Sequence, residues 1–66
     1  MDLIQLILEN NTHTYLHFFN STDSVEQYLK SVNINEYTHT DIIFMCYGEI
    51  DVKKSKVYKK RFLNKH

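Results

Sequence analysis

Residues 2–20 read DLIQLILENNTHTYLHFFN, and this stretch decides the fold class. Asp2 to Glu9 is an apolar run that alternates imperfectly, and Asn10-Asn11-Thr12 tolerates positive φ and favours a turn. His13 to Asn20 then places Thr, Tyr and Phe at alternating positions. Two such runs on either side of turn chemistry predict a β-hairpin.

Downstream of the hairpin, Ser21-Thr22-Asp23-Ser24 is a cluster of helix N-cap residues. Asp23 and Glu26 have capping-box spacing ahead of Val25, Tyr28, Leu29 and Val32, whose i, i+3, i+4, i+7 pattern predicts a helix over about 24–32 with one apolar stripe. Asn33 to Thr40 reads as a loop, with Ile34 and Tyr37 tucked beneath it. Asp41 to Val52 reads as a second strand region. Its run Ile42-Ile43-Phe44-Met45-Cys46-Tyr47 is apolar on both faces, as in a central strand, and Gly48 marks a bulge or turn. The last segment fits two states. Lys53-Lys54-Ser55 suits a hairpin tip leading into a strand from Lys56 to Leu63, whereas Tyr58 and Phe62 at i, i+4 suit a short basic helix. The strand is the preferred reading, which gives an α+β domain of order ββαββ: an antiparallel sheet with one short helix packed on one face.

Alternation sorts the sheet into two faces. Ile4, Leu6, Leu8, Leu16, Phe18, Ile42, Phe44 and Cys46 are expected to meet the helix stripe. The second face then carries Leu3, Ile7, Tyr15, Phe19, Ile43, Met45 and Tyr47, diluted by Gln5, Glu9, His13 and His17. Uncovered apolar surface of that extent marks an interface, with a homodimer or another protein as its occupant. The competing expectation is that the C-terminal segment folds over it with Val57, Tyr58 and Phe62.

At 66 residues and 8.0 kDa the chain sits at the low end for autonomous folding, where about 60% of the unfolded surface is buried. A single domain over 1–66 is expected. Nine aromatic and fifteen β-branched residues exclude a disordered chain. The formal charge of zero hides an asymmetry: residues 1–52 hold eight acids and one base, Lys30, while residues 53–66 hold seven bases and no acid. An acidic body of −7 and a basic segment of +7 point to a charged partner. The start Met1-Asp2 has no basic n-region, and Leu3 to Leu8 is too short for a signal peptide or a membrane span, so a cytoplasmic setting is expected. Asn10-Asn11-Thr12 and Asn20-Ser21-Thr22 match the glycosylation pattern but read as turn chemistry.

The constellations for catalysis are poor, and the chain reads as a non-enzyme without cofactor or metal. His13 and His17 at i, i+4 on a strand stand about 13 Å apart, too far to share one zinc ion. Cys46 lies in an apolar strand with no orienting group, as an inert small hydrophobe does. A single glycine cannot build a phosphate loop. Glu49 and Asp51 are expected to pair with lysines across a hairpin. Binding is better supported. Lys53, Lys54, Lys56, Lys59, Lys60 and Arg61, with Lys65 and interleaved Tyr58 and Phe62, suit phosphates and bases. The acidic body, in turn, can present spaced negative charge as duplex DNA does.

The absence of Pro and Ala, the abundance of Asn, Ile, Lys and Tyr, and the hairpin-helix-strand order resemble small phage or mobile-element inhibitors of host defence and repair. Anti-CRISPR proteins and phage inhibitors of uracil-DNA glycosylase are examples. The glycosylase inhibitors engage their enzyme through an aromatic-bearing helix, often from a dimer. Here Tyr28 is the one comparable aromatic, and it lies on the stripe assigned to the core. The resemblance implies a binding protein that occludes a surface of a host protein. The expected contacts are Tyr15, Phe19, Met45 and Tyr47 if apolar, or Glu36, Asp41, Glu49 and Asp51 if acidic. The alternative is a nucleic-acid-binding regulator using the lysine-rich segment.

Overall fold

A computed structural model describes residues 2–63, with the element order ββαββα. Strands β1 (Asp2–Glu9), β2 (Thr14–Phe19), β3 (His39–Cys46) and β4 (Glu49–Ile50) form one antiparallel sheet in the order β2-β1-β3-β4. Helix α1 (Thr22–Lys30) follows the hairpin, and helix α2 (Val52–Leu63) follows β4. The α+β class and the antiparallel sheet agree with the sequence reading. The second helix does not: residues 56–63 are helical, not a fourth long strand.

Two local contacts explain the helix. Asp51 Oδ1 accepts from the Lys54 N–H at 3.0 Å, and the Ser55 N–H donates to the Asp51 carbonyl at 2.9 Å, so Asp51 caps α2. Helical spacing then brings Tyr58 and Phe62 together, and Tyr58 meets the ring of Phe44 edge-on at 5.4 Å. A strand would have sent those two side chains to one face without the cap.

Helix α1 starts two residues earlier than expected and uses a different cap. Ser21 Oγ accepts from the Ser24 N–H at 3.3 Å, in place of a box between Asp23 and Glu26. Its stripe behaves as read: Val25 is buried, and Tyr28, Leu29 and Val32 pack on the core. Ile34, in a single 3-10 turn over Ile34–Glu36, and Tyr37 also pack there.

The core lies between one sheet face and both helices. Ile4, Leu6 and Leu8 of β1 and Ile42 and Phe44 of β3 are buried with Val25 and Leu63. Each such side chain contributes about 1.5–3 kcal/mol of hydrophobic stabilisation. On β2 the face assignment reverses. Ile4 pairs with Phe19, Leu6 with His17 and Leu8 with Tyr15, so the odd residues of β2 point inward and Leu16 and Phe18 point out. The cause is the loop. Asn10 donates to the His13 carbonyl at 2.9 Å, leaving two residues, Asn11 and Thr12, at the tip, and this count sets even positions of β1 opposite odd positions of β2. The Asn10 side chain holds the tip by accepting from the N–H groups of Thr12 and His13.

Candidate interaction surfaces

With both helices on one side, the opposite face of the sheet is left open. It carries Leu3, Ile7, Ile43 and Met45, all partly buried, and Leu16, Phe18 and Ile50, which are 53%, 57% and 58% exposed. The C-terminal segment does not fold over it: α2 packs its Tyr58, Phe62 and Leu63 on the core. No strand contains Lys or Arg. Among the strand residues the acids on the open face are Glu9 and Asp41, and Lys56 and Lys59 of α2 line a cleft with Ile43 and Ile50 at the Asp41 edge.

The expected apolar contacts are divided by this arrangement. Met45 lies on the open face. Phe19 faces inward, packed against Tyr28 with ring centroids 5.6 Å apart. Tyr15 also sits on the helix side, at the rim, stacked on His13 and edge-on to Tyr37. Tyr47 belongs to neither face. It occupies the two-residue β3–β4 turn with Gly48, both at positive φ (51° and 79°), and is 86% exposed. The sequence reading missed Leu16, Phe18 and Ile50 as open-face residues; the spacing of the Asn11-Thr12 tip was the available signal for the first two, and the Tyr47-Gly48 turn, which pairs Ile50 with Met45, for the third.

The expected acidic surface is not assembled. Glu36 and Glu49 flank opposite ends of β3, roughly 24 Å apart by strand rise, and both are exposed. Asp51 is occupied as the α2 cap. Asp41 accepts from the Ile42 N–H at 2.8 Å and faces Lys59 Nζ at 3.7 Å. The expected pairing of Glu49 and Asp51 with lysines across a hairpin is therefore replaced by a cap and by the Asp41–Lys59 contact.

The basic residues become one helix surface. Lys59 is drawn to Asp41, Lys54 Nζ lies 4.3 Å from the Phe44 ring centroid, and Arg61 lies over Phe62 at 5.3 Å. Lys53, Lys56 and Lys60, at i, i+3, i+7, share the solvent side of α2. Lys65 lies outside the described residues.

Polar side chains elsewhere serve the fold. His17 Nε2 and the Tyr28 hydroxyl are 3.0 Å apart between β2 and α1, and burial pushes the Tyr28 hydroxyl pKa up, with a smaller contribution from Tyr37. The Cys46 thiol is also pushed up, first by its hydrogen bond with Asp2 and then by burial, which opposes formation of a thiolate nucleophile. Among the described residues no helix is long and apolar enough to cross a membrane.

No family model matches the chain, and no characterised protein or solved structure matches it.

Proposed function

We propose that this chain is a non-enzymatic binding protein that acts stoichiometrically, covering a surface of another protein with its open sheet face. The observation that carries the reading is the apolar content of that face: seven apolar side chains around Gln5, with Glu9 at one corner and the Asp41–Lys59 pair at the α2 edge. Contiguous apolar surface rimmed by charge is the composition of a protein interface. The rim carries both signs, because Glu9 accepts from the Thr14 hydroxyl and Asp41 faces Lys59, so the apolar patch rather than net charge carries the contact. The resemblance to small phage and mobile-element inhibitors makes inhibition of a host defence or DNA-processing protein the role proposed for that contact.

A second reading rests on α2, where Lys53, Lys56 and Lys60 form a cationic row suited to phosphates. One experiment separates the two. The immobilised chain is challenged with nuclease-treated lysate in three forms: unaltered, Met45→Lys with Ile50→Lys, and Lys53→Gln with Lys56→Gln and Lys60→Gln. The sheet-face reading expects a stoichiometric protein partner that is lost with the first double variant and kept with the triple variant. Retention by the double variant and loss by the triple variant, together with salt-sensitive binding to DNA or RNA oligonucleotides, transfers the function to α2.

A further inference from the structure

The two edges of the sheet are treated differently. At the β3 side the edge is closed. Strand β4 pairs with Met45 and Cys46, the Asp51 N–H donates to the Phe44 carbonyl at 2.8 Å, and Ser55 Oγ accepts from the Phe44 N–H at 2.8 Å. One step further along, the Ile42 N–H is taken by Asp41 Oδ1. Side chains and β4 thus occupy the outward N–H groups of Ile42, Phe44 and Cys46, as edge protection requires.

Strand β2 has none of these devices. Its sequence TYLHFF contains no Lys, Asp, Glu or Pro, and no described hydrogen bond reaches its outer backbone. The Asn10–His13 bond fixes the phase of the ladder, so Tyr15, His17 and Phe19 turn their N–H and C=O groups to β1. Thr14, Leu16 and Phe18 turn theirs outward. The same residues carry the exposed Leu16 and Phe18 side chains.

We propose that β2 pairs antiparallel with β2 of a second copy of this chain, about a two-fold axis at Leu16, to give one continuous eight-stranded sheet. The occupant follows from self-complementarity. The outward residues of β2 are spaced symmetrically about Leu16, so an antiparallel copy sets Leu16 opposite Leu16 and Thr14 opposite Phe18, with every outward N–H facing an outward C=O. No like charge is brought face to face, since the strand has no charged residue apart from titratable His17. Pairing places the two open faces side by side, which doubles a surface that is apolar in each copy. The dimer is argued from β2 alone and does not depend on what that surface binds.

Light scattering tests the proposal with the full chain and two charge variants at tens of micromolar. The unaltered chain is expected at twice its 8.0 kDa mass. Leu16→Lys alone is expected as a monomer, with a dissociation constant raised at least about tenfold by opposed like charges at the axis. Leu16→Glu alone behaves likewise. An equimolar mixture of the two variants restores a dimer, because the axis sets lysine opposite glutamate. An unaltered chain that stays monomeric, or a dimer indifferent to Leu16→Lys, overturns the proposal. A mixture that stays monomeric overturns the register. Circular dichroism of each variant verifies the fold, and Leu16, at 53% exposed, tolerates either charge in the monomer. Failure here leaves the open-face reading intact, since that reading is tested at Met45 and Ile50.

Discussion

Tyr47 is the one non-glycine described residue with positive φ, and it stands almost fully exposed at a hairpin tip. A two-residue turn with both central residues at positive φ favours Asn or Gly at that position, and an aromatic there costs about 1 kcal/mol. Tyr47→Asn is expected to stabilise the chain by about that amount, read as a higher urea midpoint at unchanged slope. Ser55 is the opposite case, a small polar residue whose role is internal. Its hydroxyl accepts from the Phe44 N–H and donates to the Asp51 carbonyl. Ser55→Ala leaves a partly buried N–H without its acceptor and is expected to cost about 1–3 kcal/mol, measured by the same denaturation.

At the scale of elements, α2 both closes the core and displays charge, and the two roles lie on different sides of one helix. Tyr58, Phe62 and Leu63 pack inward, while Lys53, Lys56 and Lys60 remain in water. Truncation after Val52 is therefore expected to abolish cooperative urea unfolding. It removes three core side chains worth about 1.5–3 kcal/mol each from a domain whose net stability is of the order of 5–15 kcal/mol. The triple change Lys53→Gln, Lys56→Gln, Lys60→Gln should instead leave stability within about 0.5 kcal/mol. Charge neutralisation, not deletion, is the informative way to examine nucleic-acid binding. The helix was half legible in the sequence: the Tyr58–Phe62 spacing suggested it, but lysine-rich segments lack a strong apolar period. The deciding contacts come from Asp51 and Phe44, on β4's exit and on β3.

For the molecule as a whole, the marginal size makes stability sensitive to protonation. Tyr28 links α1 to β2 and its hydroxyl pKa is raised above the ordinary tyrosine value of 10.0, chiefly by burial. The unfolded chain thus loses this proton first as pH rises. The folded state binds more protons through that window, and stability falls as pH climbs past about 10. Urea midpoints at pH 8 and about pH 11 should show this decline, and Tyr28→Phe should reduce it. The charge asymmetry acts at the same scale. Of the acids in the body, Asp41 and Asp51 are held by α2, so basic helix and acidic body are partly joined within one fold. The expected acidic surface fails for that reason, and the apolar sheet face remains as the larger uncommitted feature.

The sequence alone determined the hairpin, the amphipathic α1, the central apolar strand and the turn at Gly48, because each follows from periodicity and turn chemistry among near neighbours. It also exposed a surplus of apolar sheet residues and the split of charge between body and end. Tertiary structure decided which side of β2 is buried, since a tip of two residues fixes a parity that strand alternation leaves open. It decided that residues 52–63 are a helix, because the Phe44 ring that receives Tyr58 comes from β3, while the Asp51 cap is local. Those two outcomes redefine the open face: they turn Tyr15 and Phe19 inward, bring out Leu16 and Phe18, and leave β2 as the unprotected edge. A strand's two faces look alike in sequence, and only the packing of other elements against one of them makes the other a surface.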